Sequence, residues 1–511
     1  DYRAPVSEHE KLVASLFESL TGASRVGLDD SFFALGGHSL LAMRLVAKLR
    51  DLTSLDLPLA DLFAHQTVES LALLMDSLSL SVKGEILPGE GALNDTFRTL
   101  SYGQLRIWAI DQIAVSASGY NMPFAVRLSG SVDTSALDAA ASYVLARHEP
   151  LRTIIVKGSG EPSGQLIPIY PAHGHVCFID WSEKDVDQSL IHETVITQTA
   201  RLFDLTKDFL LRFVLIRLSE GEHILLFVLH HSAGDGASLH ILMRDFGMAY
   251  QAHLNGLHPD LPALPVSYSD YAAWQRRWFE DSGVVQRQLS YWRDQLAGAP
   301  EFLTLPTDYA RRAQRSRQAG YESVNLDKKV STAVQSMARR FETTDFAILV
   351  ASYGALLSRL SRQEDVVVGF PVAGRGATQV EDLVGFFVNT LPLRLNFNAQ
   401  QTVGDVLVQA REAVVEALTH QDVPFERLVE DLTDTRSLLY TPIFQAEFAY
   451  QTQGAPSLEL QEVASTLVPV AHVQSKVDLT LFLVPNADGS ITGQLEYDRS
   501  LFKASTVQSW A

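Results

Sequence analysis

Apolar residues recur at helical spacing in the first part of the chain, up to about residue 80. Leu12, Leu16 and Leu20 repeat along EHEKLVASLFESL, and a second apolar stripe runs along SLLAMRLVAKLR. A third amphipathic pattern follows in TVESLALLMDSL. Apolar residues every three or four positions line one face of a helix, so this pattern predicts a small all-α unit.

A change of pattern marks the end of this unit. Residues 81–97, SVKGEILPGEGALNDTF, show no periodicity and contain three glycines and a proline. Such a stretch is typical of a linker. Its length predicts that the first unit can move relative to the rest of the chain.

From about residue 98 the pattern indicates mixed helix and strand. Two apolar runs, FLLRFVLIRL and HILLFVLHH, are joined by SEGE and predict a buried β-hairpin, followed by a helix in ASLHILMRDFGMAYQAHL. The second half repeats the mixture, with a helix in DFAILVASYGALLSRL and a strand in EDVVVGF. Near the end, the runs KVDLTLFLV and ITGQLEY are separated by a turn, PNADG. We expect two α/β lobes, 98–270 and 271–511.

Composition narrows the class of protein. The 511 residues carry a net charge of -19, with a mean hydropathy of +0.05. Nucleic-acid binding depends largely on cationic side chains, so the acidic balance argues against it. No apolar run approaches a membrane span, and the start shows no secretion signal, so we expect a cytoplasmic protein. Both ends look cut from a longer chain.

The chain has one cysteine, Cys177. An internal disulfide and a cysteine-rich metal site are therefore excluded. Because Cys177 lies in the apolar run VCFID, we expect it to be packed as a small hydrophobic residue.

Ser39 directly precedes the second amphipathic helix. A serine in this position is commonly an N-cap. However, Phe32, Phe33 and Leu35 would anchor the preceding loop, and Gly36 and Gly37 would keep it slim. Ser39 would then be exposed at a helix N-terminus, where a phosphate ester is favoured.

Two histidines end the predicted strand HILLFVL. His230 and His231 are followed by a glycine-containing loop and a helix. A metal site is a weak interpretation, because neighbouring strand residues point to opposite faces and no acidic or cysteine partner lies at ligand spacing. A structural role and a role in a site at the strand end both remain open.

These segments resemble a known family. DSFFALGGHSL resembles the peptidyl carrier motif of non-ribosomal peptide synthetases, and HHSAGDG resembles the HHxxxDG motif of their condensation domains. The other condensation-domain motifs are resembled, in the family's order, by LSYGQLRIW, RHEPLRT, YSDYAAW, VGFFVNTLPLR and HQDVPFE. The resemblance implies an all-α, four-helix carrier domain (1–80), then a linker and an α/β condensation domain of two chloramphenicol-acetyltransferase-like lobes.

The resemblance also implies roles for individual residues. Ser39 would carry 4'-phosphopantetheine. The catalytic site would be the HHxxxDG motif, formed by His230, His231, Asp235 and Gly236, with the second histidine as the active-site residue.

The remaining roles are structural. Asp235 would pair with Arg375 and hold the loop in shape, and Gly236 would allow a tight turn. His148, Arg152 and Asn389 are expected to be structural too. Ala237 stands where the family often has tryptophan, which leaves the substrate subtype open.

The implied reaction is peptide-bond formation between thioester-tethered substrates, with Ser39 holding the donor. The implied partners are a phosphopantetheinyl transferase, an upstream adenylation domain and a downstream acceptor carrier domain. An epimerisation domain shares the fold and HHxxxDG, but the intact HQDVPFE and VGFFVNTLPLR segments favour condensation. The Asp-based motif of a heterocyclisation domain is absent, and the retained His231, Asp235 and Gly236 argue against a non-catalytic docking module.

Overall fold

The computed structural model describes most of the chain. The described residues are 2–37, 39–53, 55, 57–78, 85–113, 120–158, 160–169, 174–183, 187–281, 283–312, 317–433, 437, 439–452, 454–470 and 474–511.

The first unit is a bundle of four helices, as the resemblance implies, whereas the apolar pattern alone indicated three. They are α1 (Glu8–Thr21), α2 (Ser39–Thr53), α3 (Leu59–Ala64) and α4 (Val68–Met75). Phe17, Phe32, Leu45 and Leu71 form its centre and are inaccessible to solvent. The short α3 was not predicted, because six residues give too few turns for a periodic pattern to show.

Local sequence sets the ends of α1. The Ser7 hydroxyl accepts a hydrogen bond from the backbone N–H of Glu10, and the Glu10 carboxylate accepts one from the backbone N–H of Ser7. This capping box satisfies amide groups that have no partner within the helix. Gly22 ends the helix with φ 73°, in the left-handed region that favours glycine.

The N-terminal lobe follows from residue 97. Its elements are β1 (Phe97–Arg98), α5 (Tyr102–Ile113), β2 (Asn121–Ser129), α6 (Thr134–Arg147), β3 (Thr153–Val156), β4 (Ser163–Leu166), β5 (Val176–Asp180), α7 (Gln188–Ala200), β6 (Leu211–Ser219), β7 (Glu222–His230) and α8 (Gly236–Leu254). A 3-10 turn, Glu149–Arg152, precedes β3. The small sheet has the order β1-β4-β3.

The C-terminal lobe is built on a six-stranded sheet. Its elements are α9 (Tyr268–Asp281), α10 (Val284–Leu296), β8 (Ala319–Leu326), α11 (Lys328–Arg340), α12 (Asp345–Ser361), β9 (Asp365–Val372), β10 (Asn389–Asn396), α13 (Val403–Thr419), α14 (Phe425–Leu432), β11 (Ala446–Tyr450), β12 (Ala464–Val468), β13 (Leu479–Pro485), β14 (Ile491–Asp498) and α15 (Ala504–Trp510). The strand order is β10-β9-β11-β13-β14-β8. A 3-10 turn, Thr378–Val380, lies between β9 and β10.

The predicted hairpin is present. Strands β6 and β7 pair antiparallel, and the central residues of both are buried. Near-continuous apolar sequence is typical of a strand that is covered on both faces. Strands β13 and β14, on either side of the PNADG turn, also pair antiparallel.

One strand crosses between the lobes. β12 lies late in the chain, yet it pairs with β2 at the edge of the N-terminal sheet, whose order is β12-β2-β7-β6-β5. A division of the chain near residue 270 does not anticipate this return, because the pairing depends on contacts far apart in sequence.

The prediction for Cys177 is wrong. The residue is exposed and its thiol is free. It lies on β5, which is the edge strand of its sheet and has β6 as its one neighbour. The adjacent Phe178 is also exposed, so the apolar run VCFID is only partly covered.

The described part of the predicted linker, residues 85–97, packs against the α/β part. Ile86 is buried, and the Gly91 N–H donates a hydrogen bond of 2.8 Å to Asp270. A Cβ on Gly91 would lie 2.0 Å from the backbone of Ser269, so only glycine fits there. These residues are therefore docked, in contrast to the mobile linker that the sequence predicts.

The helical unit rests on the C-terminal lobe. Helix α3 packs against α13, and α2 lies beside the turn Thr378–Val380. Both the backbone N–H and the hydroxyl of Thr378 donate hydrogen bonds to Asp51. Among the described helices, none combines the length and the apolarity that crossing a bilayer requires.

Candidate active site

A cavity of about 3090 Å³ lies where the helical unit and the two lobes meet. Its lining includes Gly37 and Met43 from the helical unit, His231 and Gly236 from the N-terminal lobe, and Glu447 from the C-terminal lobe. Gly37, which precedes Ser39, and Met43, which follows it on α2, therefore line the same cavity as His231.

His231 presents one ring nitrogen to this cavity. It follows the last residue of β7, and its Nδ1 lies 2.9 Å from the carbonyl oxygen of Gly234. A carbonyl accepts, so Nδ1 carries the proton and Nε2 is left as an acceptor. The edge of the ring packs against Phe386, with the ring centroids 4.9 Å apart.

His231 is neutral at pH 7. Burial lowers its pKa well below the usual value, and the positive charge of Lys476 lowers it further. A neutral imidazole can accept a hydrogen bond from an amine, which an imidazolium cannot.

His230 lies outside the cavity lining. Its Nδ1 is 2.7 Å from the hydroxyl oxygen of Ser232, and its ring packs against Phe203 with centroids 5.5 Å apart. Burial, and then the charge of Arg212, lower its pKa to about 3. This residue supports the loop and does not reach the space where a substrate could lie.

Asp235 holds the loop to three separate segments. It is the N-cap of α8, and it accepts hydrogen bonds of 2.9 Å and 2.8 Å from the backbone and hydroxyl of Ser238. It also accepts 3.1 Å hydrogen bonds from Arg375 and from the backbone N–H of Phe387.

Arg375 lies beside Asp235, where the resemblance places it. Its guanidinium also donates to the carbonyl oxygens of Val380 and Leu383 and stacks over the ring of Phe387. Both charged groups are buried, with side-chain exposures of 8% for Arg375 and 3% for Asp235. A buried carboxylate needs such partners, so the pair stabilises the loop.

The expected role of Gly236 is wrong. It is the first residue of α8, its φ is not positive, and a Cβ there would have no atom within 4 Å. Gly236 therefore makes no tight turn and instead leaves space in the cavity. Gly234 is the more tightly packed of the two glycines, since a Cβ there would lie 2.8 Å from the Leu229 side chain and 3.1 Å from that of Ser238.

The other predicted structural residues have backbone or core partners. His148 is buried with Nε2 3.0 Å from Asp245, and Arg152 donates to the carbonyl oxygen of Ile167. Asn389 donates to the carbonyl oxygens of Gln421 and Val423. These contacts lie within the C-terminal lobe.

Ser39 is the first residue of α2, but its side chain lies outside the described residues. The preceding loop has the predicted shape. Gly36 adopts φ 101°, and a Cβ on Gly37 would lie 2.5 Å from the Phe32 ring. Gly36 and Gly37 line the cavity, so a serine at this helix N-terminus would fit a phosphate ester.

Sequence reasoning missed Tyr268, although it stands in the quoted segment YSDYAAW. Its hydroxyl contacts Ser101 at 2.9 Å and donates to the carbonyl oxygen of Phe386 at 2.7 Å. Three motif segments therefore meet behind the His231 loop.

Charged residues in the cavity were missed as well. Arg106 and Glu426 form an ion pair of 2.8 Å, and Glu447, Lys476 and Glu496 line the C-terminal wall. Arg106 and Glu426 stand in quoted motifs, whereas Lys476 and Glu496 stand in KVDLTLFLV and ITGQLEY, to which the sequence analysis gave no chemical role.

Comparisons with known proteins identify this architecture. The condensation-domain family matches residues 94–511, and the phosphopantetheine attachment site family matches residues 11–75. The chain therefore belongs to the condensation-domain family of non-ribosomal peptide synthetases, preceded by a carrier domain. The carrier domain is the site of covalent 4'-phosphopantetheine attachment.

Similar proteins are much longer. The chain is 35% identical to the dimodular nonribosomal peptide synthase of Bacillus subtilis (strain 168), over 100% of the chain and 21% of that protein. It is also 35% identical to malpinin synthetase of Mortierella alpina, over 99% of the chain and 6% of that protein. The chain thus spans a small part of these relatives.

Solved structures share the fold of the two lobes. The X-domain from teicoplanin biosynthesis has a TM-score of 0.75 and 29% identity, over 83% of this chain and 94% of that one. The first condensation domain of the calcium-dependent antibiotic synthetase has a TM-score of 0.70 and 18% identity, over 81% and 94%. The second likeness concerns the fold alone.

Proposed function

We propose that this chain forms a peptide bond, in which an amine attacks the donor thioester held on its own carrier domain. One observation carries the proposal. The neutral His231 presents Nε2 to a cavity that also reaches the start of α2, where Ser39 lies.

The attacking group is an α-amine, whose pKa of about 7.7–8.0 leaves roughly a tenth or more of it neutral near pH 7. Activating the amine in advance therefore gains little. Holding two tethered groups in contact can lower the barrier by several kcal/mol or more, up to about 7–11. Positioning is the larger task for the protein.

His231 performs this positioning through Nε2. It accepts a hydrogen bond from the amine and relays the amine proton toward the departing thiolate, as the new C–N bond forms and the C–S bond of the thioester breaks. Its lowered pKa makes it a weaker base than an ordinary histidine, which supports positioning as its main contribution. Gly234 fixes the ring by accepting from Nδ1–H, and the Asp235–Arg375 pair fixes the loop.

The carrier residue would be Ser39. 4'-Phosphopantetheine, when bound, supplies the thioester that activates the acyl group and the arm that carries it. This chain's part is to place the arm, through the slim Gly36–Gly37 loop and the contact of α2 with the turn Thr378–Val380. Epimerisation and non-catalytic docking are not favoured over condensation.

The proposal requires partners. A phosphopantetheinyl transferase loads Ser39, an upstream adenylation domain supplies the activated donor, and a downstream carrier domain brings the acceptor amine. We expect them to meet this chain in the cytoplasm.

Intact-protein mass spectrometry tests the function. Ser39 is loaded with a peptidyl-phosphopantetheine, a separate aminoacyl carrier is added, and the mass of each protein is followed. The peptide should move to the acceptor. His231→Ala should slow transfer by about 10²- to 10⁴-fold, with carrier loading and circular dichroism unchanged.

The exposed His253 provides a matched control, and His253→Ala should transfer at the wild-type rate. Full activity of His231→Ala would remove the proposed role. If loading succeeds but no peptide moves, exchange of the Cα hydrogen with deuterated water would indicate epimerisation instead. If Ser39 cannot be loaded, its assignment is wrong.

A further inference from the structure

One wall of the cavity is a row of polar side chains across the C-terminal sheet. Glu447 on β11 lies opposite Thr480 on β13, Thr480 opposite Glu496 on β14, and Glu496 opposite Tyr321 on β8. Directly opposed residues in neighbouring strands point to the same face of a sheet. All four line the cavity.

Lys476 lies just before β13, outside this row, and also lines the cavity. It is exposed, yet burial lowers its pKa. Its exposure and its lowered pKa agree if the ammonium contacts water inside the cavity and protein surrounds that water. Glu447 is partly exposed in the same way, and burial raises its pKa.

Lys476 and Glu447 differ from the other charged groups here. Glu496 accepts a 2.9 Å hydrogen bond from the Tyr321 hydroxyl, and Arg106 is paired with Glu426. Within the described chain, neither the Lys476 ammonium nor the Glu447 carboxylate has a hydrogen bond or ion pair. Both line the same cavity, and the charge of each acts on the pKa of the other.

Their chemistry defines what would satisfy both. An ammonium only donates and a carboxylate only accepts, so one neutral group with both functions can bond to the two of them. An aliphatic group in the same space would displace water from both charges and replace none of the hydrogen bonds, which is costly.

We propose that Lys476 and Glu447 form a donor–acceptor pair that recognises an uncharged polar group, an amide or a hydroxyl, on the tethered substrate. This inference rests on the proposed function, because it assumes that acyl and amine substrates enter this cavity. The group could belong to the donor or to the acceptor.

Binding of non-hydrolysable analogues tests the pair without requiring transfer. Calorimetry measures the Kd of asparaginyl- and leucyl-pantetheine amides, which have side chains of similar shape, as acceptor analogues. Their N-acetylated forms serve as donor analogues. In one of the two arms the wild-type chain should prefer the asparaginyl compound by about 10- to 100-fold, as expected for hydrogen bonds to charged groups.

Lys476→Met and Glu447→Gln should each reduce this preference to within about threefold, if most of the selectivity comes from the pair. Lys328→Met, which removes an exposed lysine of the same lobe from α11, should leave it unchanged. The proposal would be overturned if the asparaginyl and leucyl compounds bound equally in both arms, if the leucyl compound were preferred, or if no asparaginyl binding were measurable. It would also be overturned if the preference survived both variants. Peptide transfer, measured separately, reports on the proposed function alone.

Discussion

Two adjacent histidines show how much the surroundings decide at the residue scale. His230 is the last residue of β7, and its side chain packs among Phe203, Tyr120 and Ser232. His231 turns the other way and reaches the cavity. The alternation of side chains along a strand separates them, so one supports the loop while the other can meet a substrate.

Removing Asp235 should be more damaging than its distance from the chemistry suggests. Asp235→Ala leaves Arg375 buried without its charged partner and also removes the cap of α8. Breaking a buried pair in this way costs about 3–5 kcal/mol of unfolding free energy. Urea unfolding followed by circular dichroism measures the loss.

The control for this prediction is a surface ion pair. Asp382 pairs with Arg244, and the two side chains are 59% and 43% exposed. Asp382→Ala should change the unfolding free energy by at most about 1 kcal/mol. If Asp235→Ala were as mild as this surface variant, the pair would not hold the loop.

Some site residues were accessible to sequence reasoning and others were not. His231, Asp235 and Arg375 stand in segments whose resemblance to a family gives their partners in advance. Glu447 lies on β11, and Lys476 lies just before β13. These two strands pair side by side in the sheet, and a single sequence does not contain that pairing.

At the scale of elements, the junction of β7 and α8 places the site. A buried strand, a short loop and a capped helix leave little freedom for His231. Gly234 and Gly236 stand two residues apart in this junction but in different surroundings: Gly234 is packed against Leu229 and Ser238, whereas Gly236 faces open space.

Substituting each glycine with alanine should separate these roles. Gly234→Ala overpacks the loop and should lower the unfolding free energy by about 1–3 kcal/mol. Gly236→Ala meets no atom within 4 Å and should leave stability unchanged or slightly raised. Thermal and urea unfolding of the two variants make the comparison. The reverse order of stabilities would contradict the structure.

The elements that could be predicted are those whose signal is local. Strands β6 and β7 are two apolar runs with a short polar turn between them, and α1, α2 and α4 carry clear stripes. β12 could not be predicted as a partner of β2, because its place depends on a long-range crossover. Cys177 was misplaced for a related reason, since composition does not reveal that β5 is an edge strand.

At the scale of the whole molecule, the carrier domain is docked with its helix start at the cavity. The contact of Asp51 with Thr378 ties α2 to the turn whose Val380 carbonyl is held by Arg375. Asp51→Ala should loosen this docking without unfolding either domain, because Asp51 is exposed at the edge of the bundle.

Distance distributions between spin labels measure this loosening. Labels at Ser24→Cys and Arg359→Cys, both exposed, report on the two domains in a Cys177→Ser background. Asp51→Ala should broaden the distribution, whereas Asp260→Ala, an exposed carboxylate of the N-terminal lobe, should not. An unchanged distribution in Asp51→Ala would show that the contact does not hold the carrier.

The docked segment at Ile86 and Gly91 sets how far the carrier can travel. The bundle is described to Leu78 and the docked segment from Glu85, so seven peptide units join them. Fully extended, they span at most about 23–25 Å. A connection of this length keeps the carrier domain close to the docked segment. A partner domain that lies farther away must move toward the carrier, or the docked segment at Gly91 must first detach from the α/β part.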